Sequence, residues 1–453
     1  MKASSKVERR SPLRQSTMRK VSLICFSNDL RISDNLALCT AARESESLVC
    51  VFVQPPSVLH HNYGMDESVL RRQHLYQTLD DLDLSLTSLG QRLHRVTGGT
   101  AEQLRQLVDE FKPCAVYRSE QANAFATDPW NATEAEHPNV QFITLATNTL
   151  FSREGLPFKL HELPNTFSKF RREVEDIVVP SPLAAPNKLP PTVGAGDDWR
   201  NHFTPTERDS NTTFRGGERA GYDHVNTYFD GVFAQTYKQT RNALDGWTNS
   251  TKFSLWLATG ALSARQIVHQ LRRHEAVYGS NESTYWIYFE LLWREYFQWY
   301  AHRHKHKIGA FNGISPHSPK TSFYPQRFAK WCHGTTPYPI VNACMRQLNA
   351  EGYMSNRGRQ LVASCLVHEL SVDWRYGAAY MAVKLVDYDV ASNWGNWQYL
   401  AGVGADPRGH RRFNLQKQTQ IYDPDGRFIE RWNGADCDPQ LDSNDMVDWP
   451  QFS

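Results

Sequence analysis

The run Val21-Ser22-Leu23-Ile24-Cys25-Phe26-Ser27-Asn28-Asp29-Leu30-Arg31-Ile32-Ser33-Asp34-Asn35 decides how the chain is read. Its first six residues, mostly β-branched or apolar, read as a strand. The polar turn after Phe26 ends that strand, and a helix is expected after Asp34. Working outward, Leu48–Val53 reads as a second strand, and Ser68–Leu89 as a long helix stopped by Gly90. Thr100 is expected to begin the next helix, with Gln103 completing a capping box. Cys114–Arg118 and Val140–Leu145 read as further strands. Strands alternating with helices imply a parallel sheet covered on both faces. No G-x-G-x-x-G follows the first strand, and Gly98-Gly99 alone is not that fingerprint. Residues 21–150 are thus expected to form an α/β nucleotide-type domain without the dinucleotide signature.

Residues 151–215 hold eight prolines (Pro157, Pro164, Pro180, Pro182, Pro186, Pro190, Pro191 and Pro205). This stretch is expected to be a non-helical connector wrapping the surface. From Glu218 onward apolar residues recur at helical spacing, as in Ala261–Arg272, Tyr285–Tyr300, Ile340–Leu348, Gln360–Leu370 and Ala378–Leu385. A mainly helical domain is expected over 216–435, followed by a tail.

The bulk numbers exclude several classes. Lys and Arg number 50 against 48 Asp and Glu over 453 residues, which excludes a histone-like cation and an acidic disordered chain. The length suffices for a sizeable core without disulfides or metal. The eight Cys form no C-x-x-C and read as reduced, small hydrophobes in a cytosol-like compartment. No apolar run approaches the ~18 residues of a membrane span, and no signal-peptide core is visible. Residues 1–20 carry seven basic side chains against Glu8. They read as a flexible arm or as an organelle-targeting segment. Trp placement is skewed: nine of the 13 indoles fall between Trp247 and Trp397. A packed core does not require that, so a use for indoles is expected in the second half.

Four constellations could carry chemistry. Asn249-Ser250-Thr251-Lys252-Phe253-Ser254 opens a helix; its hydroxyls and Lys suit a phosphate, while simple helix capping is the plainer account. Glu290, Trp293, Arg294 and Phe297 share a helix face, suited to a planar charged ligand or to an ion-paired core. Tyr353-Met354-Ser355-Asn356-Arg357-Gly358-Arg359-Gln360 offers either DNA-phosphate contacts or a structural salt-bridge cluster. Val386-Asp387-Tyr388-Asp389-Val390-Ala391-Ser392-Asn393-Trp394-Gly395-Asn396-Trp397-Gln398-Tyr399 is the least probable run by chance. On a helix, Asn393 and Trp397 share a face. The Asp387/Asp389 pair lacks a third oxygen ligand, so no metal site is expected.

Taken together, these segments resemble the photolyase/cryptochrome family from Val21 to about Trp432, and within it the cryptochrome-DASH branch. The likeness is carried by Phe26–Asn35, by Leu163-Pro164-Asn165-Thr166-Phe167-Ser168-Lys169-Phe170-Arg171, and by Tyr237-Lys238-Gln239-Thr240-Arg241-Asn242. Trp397-Gln398-Tyr399 and Tyr422-Asp423-Pro424 carry it further. The resemblance implies an α/β, Rossmann-like antenna domain joined through the Pro-rich connector to a helical FAD-binding domain. It implies light-driven repair of cyclobutane pyrimidine dimers by an electron from excited reduced FAD, a reaction in which the cofactor does the chemistry. The alternative is a blue-light photoreceptor binding nucleic acid with little repair; the short run past Trp449 argues against it. DNA, preferably single-stranded and bearing dimers, is the implied partner of a monomeric protein, located in a cytoplasm unless the basic arm directs it to an organelle.

By position, Tyr237, Ser250, Thr251 and Ser254 match diphosphate contacts of FAD, with Lys252 and Phe253 among them. Glu290, Trp293 and Arg294 match the helix bordering flavin and substrate. Asn356 faces both, Arg359 and Asp387 form an ion pair beside the ring system, and Asp389 is a neighbouring contact. Asn393 matches the residue at flavin N5, where an amide argues for repair. Glu290, Asn356, Asn393, Trp374 and Trp397 are the expected catalytic set. Arg241, Arg357 and Arg411 match phosphate-facing positions, and Gln360 and Tyr399 match the branch's single-strand pattern. Glu120 matches the pterin-binding carboxylate of a methenyltetrahydrofolate antenna. Two departures stand out. The family's third electron-relay Trp falls on Thr321, and Ser27 stands where the family often has Arg.

Overall fold

The computed structural model describes residues 19–54, 63–122, 129–193, 214–405 and 412–442. The basic arm up to residue 18 lies outside them. Five strands form one sheet: β1 (Arg19–Phe26), β2 (Ser45–Gln54), β3 (Leu93–Thr97), β4 (Ala115–Ser119) and β5 (Gln141–Leu145). Their order is β3-β2-β1-β4-β5, and every pair is parallel. Ile24 of β1 lies opposite Cys50 of β2 and Tyr117 of β4. Alternate residues enter opposite faces. Ile24 and Cys50 pack with Leu38 and Leu82, while Leu23 and Val49 pack with Leu104 and Val108. Both faces are covered, as expected for such apolar strands.

Three local expectations need correction. β3 and the helix Pro129–Glu136 were not visible in the apolar pattern. In β3 a buried Arg95 interrupts it, held by Asp80 at 2.7 Å. Thr100 is the first helical residue, not a cap; Gly99 precedes it without a side-chain cap, and Gln103 lies against Gly98. The connector is not wholly non-helical. It contains the helix Phe167–Val174, which buries Phe167, Phe170 and Val174. The prolines flank that helix instead of entering it. Residues 194–213 of the connector lie outside the described part.

The second domain begins with the helix Glu218–Asp230 and is helical throughout its described residues, apart from one bridge between Ser322 and Val372. Its central helix, Glu282–His304, starts at Asn281, whose Oδ1 accepts from the Ser283 and Thr284 amides. Helices Phe233–Thr240 and Val390–Ala401 pack along it. Asn356–Ser364 passes into a π-turn over Cys365–Glu369. No helix among the described residues is long and apolar enough to cross a membrane.

The two domains are joined by the loop after β1. In a doubly wound sheet the crevice at the reversal of strand order, here between β1 and β4, is the usual ligand site. Here it is filled by polar side chains. Asp29 accepts from the Ser27 amide at 2.7 Å and from the Ser119 hydroxyl. Fully buried Arg31 donates to the carbonyls of Gly260 at 2.8 Å and Thr147 at 2.7 Å. Asp34 accepts from Ser263 at 2.5 Å and Arg265 at 3.0 Å. Glu218 accepts from the Ile32 amide at 2.8 Å. Gly260 has φ +69°, and a Cβ there would overlap the Asn28 carbonyl.

Candidate functional site

The helical domain surrounds a cavity of about 270 Å³. Its walls come from segments far apart in sequence: Tyr237 and Arg241, Ser250–Ser254, Glu290 and Arg294, Asn356, Arg359 and Gln360, and the run from Asp387 to Leu400. One end is rich in hydroxyls around a cation. Lys252 is buried, in the left-handed region at φ +54°, with Nζ donating to Ser250 Oγ at 2.7 Å and the Gly246 carbonyl at 3.2 Å. The short helix here starts at Ser254 with Phe253 before it and no side-chain cap. The capping account of Ser250 and Thr251 therefore fails, and their hydroxyls are left to the cavity.

Asp387, 4% exposed, accepts from Arg359 Nη2 at 2.9 and 2.8 Å, while Arg359 Nε donates to the Met354 carbonyl. Burial opposes the Arg359 charge, but Asp387 and Tyr353 outweigh it and hold the guanidinium above its usual range. Asp389 caps the helix Val390–Ala401 through the Ser392 amide and also accepts from Gln298 at 3.0 Å. That helix carries Asn393 and Trp397 on one face, as the spacing predicts. Asn393 Nδ2 donates to the Ala378 carbonyl at 3.0 Å, which leaves its amide oxygen as the acceptor toward the cavity. Glu290 pairs with Arg241 at 2.7 Å; burial raises its pKa and Arg241 partly opposes that. Burial, with Glu290, keeps Tyr237 protonated.

Most of the expected residues converge on this cavity: Tyr237, Arg241, Ser250, Thr251, Lys252, Phe253, Ser254, Glu290, Arg294, Asn356, Arg359, Gln360, Asp387, Asp389, Asn393 and Trp397. Five described ones do not line it. Trp293 stacks on Phe167 at 3.8 Å and meets Tyr399 edge-on at 5.7 Å. That side of the central helix is covered by Phe167–Val174, the helix that the proline-rich connector concealed. Trp374 is fully buried, donates to the Phe311 carbonyl, and has Trp394 as its ring partner. Arg357 donates to Asn242 Oδ1 at 3.1 Å and lies over Tyr422 at 4.8 Å; burial holds it below its usual range. Glu120 lines a second cavity, of about 360 Å³, where it is paired with Arg153 and lies 3.9 Å from His302. Arg411 lies outside the described residues. Conversely, Tyr353, Met354, Tyr388, Ser392 and Asn396 line the main cavity without having been expected. Ser392 and Asn396 share the helix face of Asn393, a spacing that could have identified them.

The walls fit a long ligand with an anionic stretch and a planar polar head. Lys252 and the hydroxyls suit phosphates, and Asn393 with the Arg359–Asp387 pair suits a heteroaromatic ring. Gln360 Oε1 and Arg241 Nε are buried in the protein with no partner. Such atoms call for a ligand or water to satisfy them.

Comparison with known proteins agrees with this geometry. Residues 22–188 match the family described as DNA photolyase, and residues 286–435 match the FAD binding domain of DNA photolyase. Cryptochrome DASH of Idiomarina loihiensis is 52% identical over 95% of this chain and 96% of its own length. Cryptochrome DASH of Vibrio parahaemolyticus is 48% identical, over 95% of this chain and 97% of its own. The solved structure of a Synechocystis sp. PCC6803 cryptochrome superposes with a TM-score of 0.82 at 34% identity, covering 92% of this chain and 89% of that one. A bacterial class III photolyase from Agrobacterium tumefaciens gives 0.78 at 26%, covering 93% and 88%.

Proposed function

Because the chain belongs to the photolyase/cryptochrome family, with cryptochrome DASH proteins among its relatives, we propose that it repairs cyclobutane pyrimidine dimers under blue light. Its preferred substrate is single-stranded DNA, and it acts as a monomer. The observation that carries this reading is Asn393, whose amide is anchored on Ala378 so that a neutral acceptor, not a carboxylate, faces the cavity.

Reduced FAD, when bound, supplies on light absorption the electron that opens the dimer and to which that electron returns. The chain's own residues bind, orient and exclude water. Lys252, Ser250 and Thr251 would hold the diphosphate. Arg359 stays protonated beside Asp387, so the ring system would meet a fixed cation whose charge is balanced. The Asn393 oxygen would accept a hydrogen bond from a protonated ring nitrogen of the flavin. Glu290, held by Arg241, is placed to hydrogen-bond with a substrate base. A dimer must leave the base stack to reach this cavity, which is cheapest in a single strand. Gln360 fits that preference, as its unpartnered Oε1 offers one acceptor and no charge. Phosphates beside the cavity would meet Arg241 and Arg357. The second cavity, with Glu120 at its wall, is the proposed seat of a folate antenna.

The test is illumination of the reduced holoprotein with dimer-containing oligonucleotides. Loss of dimers, faster from single than from double strands, is the expected result. No loss from either overturns the repair reading and leaves the photoreceptor one.

A further inference from the structure

We propose that electrons reach the cavity of this chain through Trp397, Trp331 and Tyr380. The proposal rests on the light-driven flavin reading above. Trp397 lines the cavity and is 2% exposed. It fits there because position 377 is Gly; a Cβ would overlap the indole. Trp331, fully buried, meets Trp397 edge-to-face at 6.2 Å. Tyr380 meets Trp331 in the same manner at 5.6 Å. Tyr380 is half-buried, and its hydroxyl donates to Oδ1 of exposed Asn349 at 2.6 Å. Three redox-active rings therefore run from cavity to surface. Trp374 is fully buried with Trp394 as its ring partner, and the threonine at 321 carries no redox-active ring.

The local chemistry suits each station. Trp331 Nε1 donates to the Val362 carbonyl at 2.9 Å, a dipole that favours positive charge on the indole. Lys384 Nζ lies 5.6 Å over the Tyr380 ring and opposes a cation there, so Tyr380 gives up its proton with the electron. Oxidised flavin, once excited, takes an electron from Trp397; Trp331 refills Trp397, and Tyr380 refills Trp331. The phenolic proton leaves by the bond to Asn349 and to water, giving a neutral tyrosyl radical. An external thiol then returns a hydrogen atom to the tyrosyl oxygen and becomes a thiyl radical.

The test is time-resolved electron paramagnetic resonance of the oxidised holoprotein under blue light with a thiol present. A tyrosyl signal that narrows when tyrosine is ring-deuterated is expected, and Tyr380→Phe should abolish it. That variant, and Trp331→Phe, should lower the yield of reduced flavin about tenfold per light dose, the effect of a ~1.4 kcal/mol barrier change. Tyr380→Phe removes one half-exposed hydroxyl and keeps the test open if Trp331→Phe does not fold. A tyrosyl signal that survives in Tyr380→Phe, or flavin reduction in the unmodified protein without any tyrosyl signal, overturns the route. Bound FAD that is not reduced by light at all overturns the underlying reading instead.

Discussion

Arg241 Nη2 stands 2.7 Å from Glu290 Oε1, and both side chains line the cavity. Burial already raises the Glu290 pKa, and Arg241 restrains the rise. Arg241→Met is expected to destabilise the protein at neutral pH by about 1–2 kcal/mol. A raised carboxyl pKa favours the fold at low pH and loses that contribution as pH increases. The cost of the variant should therefore shrink at pH values below the carboxylate range. Urea unfolding at neutral and acid pH checks this; an equal loss at both would remove the electrostatic role.

Glu295 is fully buried and titrates far from the usual carboxyl range, pushed up to about 7 by burial. The Leu150 amide, the Trp299 indole and the Phe151 amide oppose that rise without cancelling it. Its folded pKa exceeds its unfolded one, so its contribution is complete below about 4.5 and lost as pH rises to about 7. Relative to Glu295→Gln, the unmodified protein should lose about 3 kcal/mol of stability across that window. Paired denaturation curves measured across it decide the matter.

Gly260→Ala tests the docking of the domains. The substitution combines a left-handed backbone with overlap of the Asn28 carbonyl. A loss of about 3 kcal/mol or more is expected. Two separate unfolding transitions in place of one would show the domains uncoupled.

Lys252→Met removes the cation hydrogen-bonded to the Ser250 hydroxyl. Retention of FAD should weaken about tenfold to hundredfold, as expected for losing a charged hydrogen bond. Equilibrium dialysis of the folded protein against FAD measures it.

Asn393→Asp removes the donor to Ala378 and brings a carboxylate toward the cavity. Accumulation of reduced flavin in light should slow about tenfold. An unchanged spectrum over time would mean that the amide has no such role.

The legible and illegible parts of this protein differ for physical reasons. β1, β2 and β4 were legible because strands buried on both faces are almost wholly apolar. β3 was not, since Arg95 enters the interior with its own counter-ion. The hydroxyl-rich end of the cavity was legible as a dense run from Ser250 to Ser254, though only the structure shows that those hydroxyls are not helix caps. The stacking of Trp293 on Phe167 is not legible, because the helix that carries Phe167 is hidden in the proline-rich run. Thr321 was legible as a missing donor. The contact of Trp331 with Trp397 and Tyr380 was not legible, because it depends on how separate helices pack, which spacing along the chain does not encode.

The loop Ser27–Asn35 has a consequence beyond holding two domains together. Arg31, Asp34 and Glu218 each hydrogen-bond across the boundary, which resists hinging there. Any dye seated on the sheet side and any dye in the helical cavity would keep one separation and one mutual angle. Resonance transfer of excitation depends steeply on both. A buried arginine and its carbonyl partners would thus set an optical constant, the fraction of absorbed photons handed from one chromophore to the other.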